Sequence, residues 1–423
     1  MRNGTKTAAL LAALALTIAA CGGDDAPDAP AAPAAPEAPA EVSPLSLGYI
    51  LPETGNLAFL GPPMIAATEM AVAEINAAGG VLGLPVSLLA GDEAGDSALA
   101  AETASRQLAA GVNAIVGAAA TGMTMAIIDQ VTSAGVVQCS PSNTGPGLTT
   151  YPDSGYYFRT APSDAFQGPI LAEQLLEDGF GSISIVARAD DYGRGLLEAT
   201  VAAFEAAGGD VLLQETVDPE APTFDAAVEA MVASGAEAHV VITFAEGTAI
   251  VQGLLAAGVD PSTLYGADGI ASATFAGAVD PANPNVLDGM TFTAPSKDAT
   301  PEFKDNLVAF RPGLEDFLFA AQAYDCVHLF ALAAQAAGST DSAAIRDNMI
   351  AVTTGDVVCT NFAECAEALA AGSTISYRSA AGESLAFMEV RGGSGEPSRG
   401  LYDVTRWVDG VFTTIDVKLA ESD

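Results

Sequence analysis

The chain has 423 residues, half of them apolar, which suffices for roughly two domains of ordinary size with a core in each. Its 53 acids against 15 bases give a formal charge of −38, a field that repels polyanions and excludes nucleic acid as a partner. An acid excess of this kind fits a saline habitat and fits an ordinary exported protein equally; it bears on solubility rather than on activity.

Residues 1–20 read as a signal peptide. Arg2 and Lys6 form a basic start, Ala8 to Ala20 a short apolar stretch, and Ile18-Ala-Ala-Cys21 a cleavage site. The apolar stretch is too short to span a bilayer, and no later run reaches about 18 uninterrupted apolar residues. A small pair followed directly by Cys resembles a bacterial lipobox, which implies that Cys21 is the lipid-modified first residue of the mature protein. An ordinary signal peptide ending in Ala-Ala-Cys is the alternative. Residues 21–44 repeat Ala and Pro with a few acids, a composition with nothing to bury, which predicts an extended stalk between a membrane anchor and the folded body.

From Leu45 onward, short apolar runs alternate with helical ones. Leu45 to Leu51 reads as a strand; Met64, Ala67, Ala71, Ile75 and Ala78 recur at spacings of three and four, an apolar helical face ended by Gly79-Gly80. Strands at Val86 to Ala90, Ala114 to Val116 and Val136 to Cys139 alternate with helices at Ser97 to Leu108 and Met123 to Ser133. After Arg159 the rhythm restarts, with strands at Ile183 to Val186, Val211 to Glu215 and His239 to Phe244 between helices starting at Ala165, Leu196, Phe224 and Thr248. A further apolar run, Gly289 to Ala294, precedes helical stretches at Glu302 to Phe310, Phe317 to Ala337 and Ser342 to Met349, and the tail beyond Thr353 turns strand-rich. Strands alternating with helices predict parallel sheets covered on both faces.

Two stretches point to chemistry. Ala118-Ala-Ala-Thr-Gly122 and Cys139-Ser-Pro-Ser-Asn-Thr144 each follow an apolar run, which places hydroxyls at two adjacent strand ends. There, helix-start N–H groups and short hydroxyl side chains hold an anion, a carboxylate by preference. Thr121 also suits a helix N-cap, and Ser142 and Thr144 also suit a turn. Opposite in sign, Tyr265-Gly-Ala-Asp268-Gly269 offers one acid at a short strand end. One holder of each charge describes an α-amino acid.

Gly48-Tyr-Ile-Leu-Pro-Glu-Thr-Gly55, Glu74-Ile-Asn-Ala-Ala-Gly-Gly-Val81, Ser140-Pro-Ser-Asn-Thr144, Asp191-Tyr-Gly-Arg-Gly195 and Gly266-Ala-Asp-Gly269 occur in that order. In wording and order they resemble the leucine/isoleucine/valine-binding family of ABC-importer substrate-binding proteins, over nearly all of residues 45 to 417. The resemblance implies an α/β protein of the type I periplasmic binding fold: two lobes, each a mostly parallel sheet flanked by helices, joined by a three-crossing hinge. Lobe one is then 45–161 plus 293–353 and lobe two 162–292 plus 354–423. The implied partners are an amino acid, branched-chain or otherwise apolar, and an ABC permease, reached by a monomer tethered outside the cytoplasm through its lipid. No cofactor is implied.

On the same resemblance Thr121, Ser142 and Thr144 meet the ligand carboxylate and Asp268 its ammonium. The family often carries Glu where Asp268 stands, so the charge here sits further back. Tyr192 is the aromatic that closes over the ligand, Phe244 is a second, and Phe59 and Leu60 line the side-chain pocket. A similar protein binding an amide, urea or aromatic acid, or serving a sensor, is the rival reading.

Cys359 and Cys365 flank a short segment in an exported chain and predict a small disulfide loop; for Cys139 and Cys326 the sequence leaves buried thiols and a second bridge both open. His239 and His328, far apart in apolar runs, read as structural, so no metal site is expected. G-x-S-x-G, H-E-x-x-H, G-x-x-x-x-G-K-[ST] and G-x-G-x-x-G are all missing from the sequence, and the Ser140 and Ser142 hydroxyls have no histidine nearby in sequence. No enzymatic activity is expected.

Overall fold

The computed structural model describes residues 43–296, 299–380, 387–389 and 395–421; the expected signal peptide, Cys21 and the expected stalk to residue 42 lie outside the described residues. The first alternating set is β1 (Ser46–Ile50), α1 (Gly61–Ala77), β2 (Ser87–Leu89), α2 (Ser97–Ala109), β3 (Ala114–Gly117), α3 (Thr121–Ser133), β4 (Val137–Ser140) and β5 (Tyr157–Arg159). The second is α4 (Asp164–Glu177), β6 (Ser182–Arg188), α5 (Asp191–Ala206), β7 (Asp210–Val217), α6 (Asp225–Ala233), β8 (Ala238–Ile242), α7 (Gly247–Ala256), β9 (Leu264–Gly266), α8 (Phe275–Val279) and β10 (Thr291–Pro295). There follow α9 (Pro301–Phe310), α10 (Ala320–Ala337), α11 (Ser342–Asn348), β11 (Val357–Cys359), α12 (Phe362–Ala370), β12 (Ile375–Tyr377), β13 (Phe387–Glu389), β14 (Gly395–Pro397), β15 (Arg399–Val408) and β16 (Val411–Glu421).

These strands form two seven-stranded sheets, ordered β13-β14-β5-β4-β3-β1-β2 and β16-β15-β10-β9-β8-β6-β7, and β11 pairs with β12 alone. Within each sheet the strands that alternate with helices run parallel, and only β13, β15 and β16 enter antiparallel. Continuous apolar strands such as β3 and β8 are buried along their whole length, as a sheet covered on both faces requires. Side-chain caps fix several helix starts, with Asp96 accepting from the amides of Ala98 and Leu99 and Asp190 from that of Gly193.

The chain passes between the sheets three times: after β5, after β10 and between β14 and β15. The sequence reading divided the lobes at 292/293 and 353/354. The pairing differs at both points: β10 runs to Pro295 within the second sheet, and β13 and β14 sit at the edge of the first. Phe387 explains the second difference. It is buried with its ring 6.2 Å from that of Phe158, so its apolar surface is covered by the first core. Only from Arg399 does the chain pair with the second sheet again.

Cys359 and Cys365 are bonded as expected, and Cys139 is bonded to Cys326, which ties the end of β4 to the middle of α10. His328 is buried between the rings of Tyr324 and Tyr377, and His239 shares a 2.7 Å hydrogen bond with Ser184. Among the described residues no helix is long and apolar enough to cross a membrane.

Candidate functional site

The carboxyl ends of both sheets point at one small cavity lined by Leu57, Leu60, Ala119, Ala120, Thr121, Ser142, Thr144, Tyr192, Phe244, Asp268, Gly269 and Phe319. Seven of the eight ligand residues expected from sequence meet there. Phe59 does not; it is half-buried against the core, and Leu57, two residues earlier, lines the cavity with Leu60.

On one side, the loop after β3 and the loop after β4 are bound to each other. Ser140 Oγ donates to the Ala118 carbonyl (2.7 Å), Ser142 Oγ to that of Ala119 (3.0 Å), and Asn143 Nδ2 to the same Ala119 oxygen (2.7 Å). Arg159, fully buried, reaches under the second loop and donates to the Gly145 carbonyl (2.9 Å) while its Nε donates to Glu396 (2.8 Å). Glycine is needed at two points. Gly117 has φ 118° and a Cβ there would lie 2.1 Å from the Ile50 carbonyl oxygen; a Cβ on Gly145 would meet Thr121 Cγ2 at 2.5 Å.

Thr121 is the first residue of α3, and the N-cap is Ala120, which has no side chain to accept from the first turn. The first-turn N–H groups therefore keep their capacity for an acceptor from outside the helix, beside the Thr121 hydroxyl, and the helix dipole favours a negative one. Behind them lies Glu93, unnoticed in the sequence and fully buried, accepting from the amides of Ala119 (2.6 Å) and Ala120 (3.2 Å). Burial pushes its carboxyl up to about 8, against the pull of those two amides.

The other side is acidic and aromatic. Asp268, buried at the end of β9, accepts at one oxygen from the Tyr192 hydroxyl (2.7 Å) and from Gln167 Nε2 (3.0 Å). Tyr192 stacks on Phe244 at 5.1 Å, and the Arg188 guanidinium covers that ring at 3.7 Å from its centre. Burial raises the Asp268 carboxyl above the usual carboxylate range, while hydrogen bonds from Tyr192 and Gln167 act the other way. Asp164, at the start of α4, is a second buried acid there. Its carboxyl is raised well above the ordinary range, by burial first and then by the charge of Asp268. Nothing in the sequence marked it: an acid in Pro-Ser-Asp at a helix start reads as capping chemistry.

The chain as a whole has known counterparts. A family model described as "Periplasmic binding protein" matches residues 44–393. A Leu/Ile/Val-binding protein homolog of Brucella melitensis is 30% identical over 313 residues, 72% of this chain and 82% of that one. Among solved structures, a branched-chain amino acid transporter substrate-binding protein of Streptococcus pneumoniae, in complex with isoleucine, superposes with TM-score 0.70 at 25% identity, covering 90% of this chain and all of that one. A leucine-binding protein of Thermotoga maritima shares the fold, with TM-score 0.72 over 88% of this chain and 98% of its own at 20% identity. With two parallel sheets facing one cleft and a family match that runs through both, the chain belongs to the periplasmic binding protein family, a family of binding proteins.

Proposed function

We propose that the protein is the extracytoplasmic substrate-binding component of an ABC importer, and that it captures an α-amino acid with an apolar, branched side chain and yields it unchanged to a permease. The observation that carries this reading is the pairing of opposite demands in one cavity: uncapped first-turn N–H groups with Thr121, Ser142 and Thr144, and Asp268, in a lining that also includes Leu57, Leu60 and Phe319. A zwitterion satisfies both ends with charge-assisted hydrogen bonds, each contributing roughly 1.5–3 kcal/mol. The apolar lining selects against charged side chains. Relatives named for Leu, Ile and Val support the same class.

The cavity volume is about 20 Å³, room for a water molecule or two rather than for an amino acid. Entry therefore requires the two sides to part, and we assign this motion to a hinge at the three crossings between a first lobe carrying Thr121, Ser142 and Thr144 and a second carrying Tyr192, Phe244 and Asp268. The lipid on Cys21 and the Ala/Pro stalk hold a monomeric body near the permease.

Thermal melts in the presence of leucine, isoleucine, valine, 4-methylpentanoate, leucinamide and 4-hydroxybenzoate test the reading, since a ligand that binds only the folded form raises the melting temperature by mass action. A rise with the three amino acids and little with the other compounds is expected. A rise with 4-methylpentanoate or 4-hydroxybenzoate equal to that with leucine would show that no ammonium is recognised and would favour the aromatic-acid reading.

A further inference from the structure

Gly195 stands inside a helix, where local preference opposes it. It lies in the second turn of α5 (Asp191–Ala206), its φ is outside the left-handed region, and glycine within a helix is destabilising relative to alanine. Gly193, two residues earlier, is explained within its own half of the molecule, because a Cβ there would lie 2.2 Å from the Arg188 carbonyl oxygen. A Cβ on Gly195 would instead lie 2.6 Å from Pro146 Cδ, 3.6 Å from its Cγ and 3.7 Å from its N, and these are the three nearest atoms. Pro146 belongs to the connection between β4 and β5, so what excludes a side chain from this place on α5 comes from the elements of the other sheet.

Both partners are held from behind. Leu148, two residues after Pro146, is buried against Ile128 and Tyr157, and Arg159 donates to the Gly145 carbonyl (2.9 Å) and to Thr149 Oγ1 (2.8 Å) on either side of the proline. On α5, Leu196, Leu197 and Thr200 are buried, and Asp190 caps the helix start at the amide of Gly193. With both surfaces anchored, an added methyl group is accommodated by moving the two halves apart. The contact lies at a recess of about 480 Å³ that Pro146, Gly195 and Thr121 line together, and Thr121 also lines the ligand cavity. Tyr192, three residues before Gly195 on the same helix, lines that cavity as well.

We propose that the Pro146–Gly195 contact is the closure stop of the cleft: glycine at 195 lets α5 approach near enough for Tyr192 and Asp268 to meet a ligand held at Thr121, and the seated proline ring then retards the ligand's escape. The inference rests on the amino-acid reading above and adds to it the residue pair that sets how far the two sides close. In the parted form the pair is separated, so a methyl group at position 195 meets no proline there and strengthens α5. Affinity and stability then move in opposite directions, which a packing role confined to one half of the molecule would not produce.

Calorimetric titration of the folded protein with leucine gives the affinity, a chase of bound labelled leucine by excess unlabelled leucine gives the dissociation rate, and a melt without ligand gives the stability. Gly195→Ala is expected to weaken leucine binding roughly tenfold through faster dissociation, within the range for one methyl group forced into a packed contact, while melting no lower than wild type. Pro146→Ala, which removes Cγ and Cδ, is expected to speed dissociation about threefold by opening the same contact. Together the two changes compensate, because the new methyl group then finds the nitrogen of residue 146 at 3.7 Å, and the double variant is expected to release leucine within about twofold of the wild-type rate. Rate increases that multiply in the double variant, or a Gly195→Ala protein with wild-type affinity and rate, would overturn the inference while leaving amino-acid binding intact. Failure of leucine, isoleucine and valine to bind the wild type would overturn both. Should Gly195→Ala fail to fold, Pro146→Ala alone decides: faster leucine release supports the proposal, and an unchanged rate overturns it.

Discussion

Replacing Asp268 by Asn separates the role of its charge from that of its shape. Asn Oδ1 accepts from the Tyr192 hydroxyl and Gln167 Nε2 just as the carboxylate oxygen does, now at 2.7 and 3.0 Å, so the stack of Tyr192 on Phe244 and the β9 loop keep their supports. What changes is the charge, which the proposed reading sets against a ligand ammonium. Leaving a buried cation unpaired costs about 2–5 kcal/mol, which raises the dissociation constant for leucine by roughly 30-fold to several thousandfold. Stability of the ligand-free protein moves the other way. Burial holds Asp268 above its ordinary carboxylate range, so at neutral pH its ionisation opposes folding, and the neutral Asn removes that cost. Calorimetric titration with leucine and a melt without ligand give both numbers from one preparation. A variant that binds leucine within about threefold of wild type would refute the assignment of Asp268 to the ammonium, because no charge-assisted bond is that weak.

Thr121→Val removes a hydroxyl at the start of α3 while keeping its bulk; leucine affinity should fall by about 1–2 kcal/mol with little change in melting temperature, as read by the same titration. Gly145→Ala should reach a similar loss indirectly, because its Cβ displaces Thr121 from 2.5 Å, and Thr121→Val should add little to it in a double-mutant cycle. The two disulfides should differ in weight: loop closure across 187 residues contributes about 5 kcal/mol against about 2 kcal/mol across 6, so Cys139→Ser with Cys326→Ser lowers the melting temperature more than Cys359→Ser with Cys365→Ser. For pH, the raised carboxyls of Glu93, Asp164, Asp268 and Asp325 give stability that is present in acid and lost as pH rises, Glu93 up to about 8. His328, lowered to about 4 by burial, gives stability present above its ordinary value and lost as pH falls toward 4. Above about pH 4.5 the four carboxyl contributions outweigh the single histidine one, so the melting temperature should fall from about pH 5 toward pH 8, measured in salt enough to screen the net charge, and Glu93→Gln should flatten the alkaline side.

Much of this was readable from local pattern because the α/β repeat is local. Each βα unit carries its own period change and its own glycine stop, as α1 does at Gly79-Gly80, and a strand end beside a helix start is predictable without knowing the rest of the chain. The tail was not local in this sense. Its strand β14 pairs with β5, more than two hundred residues earlier, and β13 with β14, whereas β15 and β16 add to the other sheet, and only burial of Phe387 and Glu396 decides between the two. Helix α12 was hidden for a different reason: the cysteines at 359 and 365 drew the segment toward a loop, while Asn361 caps a helix that starts inside it. Within the site, hydroxyls and the turn acid stood out by type, but Glu93 and Asp164 acquire meaning only from being buried, a property that a single acid among 53 does not announce. Phe59 and Leu57 exchange places because a short turn, Asn56 to Leu60, rotates which of its apolar side chains meets the cavity.

The two ends of the cleft are built to different tolerances, and this asymmetry follows from where their hydrogen bonds go. At the anion end, Ser140, Ser142, Asn143, Arg159 and Glu93 all bond to the backbone of the two loops that carry Thr121 and Thr144, so the geometry is fixed before a ligand arrives and little ordering remains to be done on binding. On the other side, Asp268 is held by the Tyr192 hydroxyl and Gln167 Nε2. On the proposed reading, a rigid anion socket favours a sequence of events in which the carboxylate docks first and closure then brings Asp268 onto the ammonium. On that reading, closure without an ammonium leaves the buried Asp268 carboxyl without a counter-charge and so costs free energy, whereas closure on an amino acid pairs it. Asp268, so read, biases the proposed hinge toward the closed form for ligands that carry a cation next to their carboxylate.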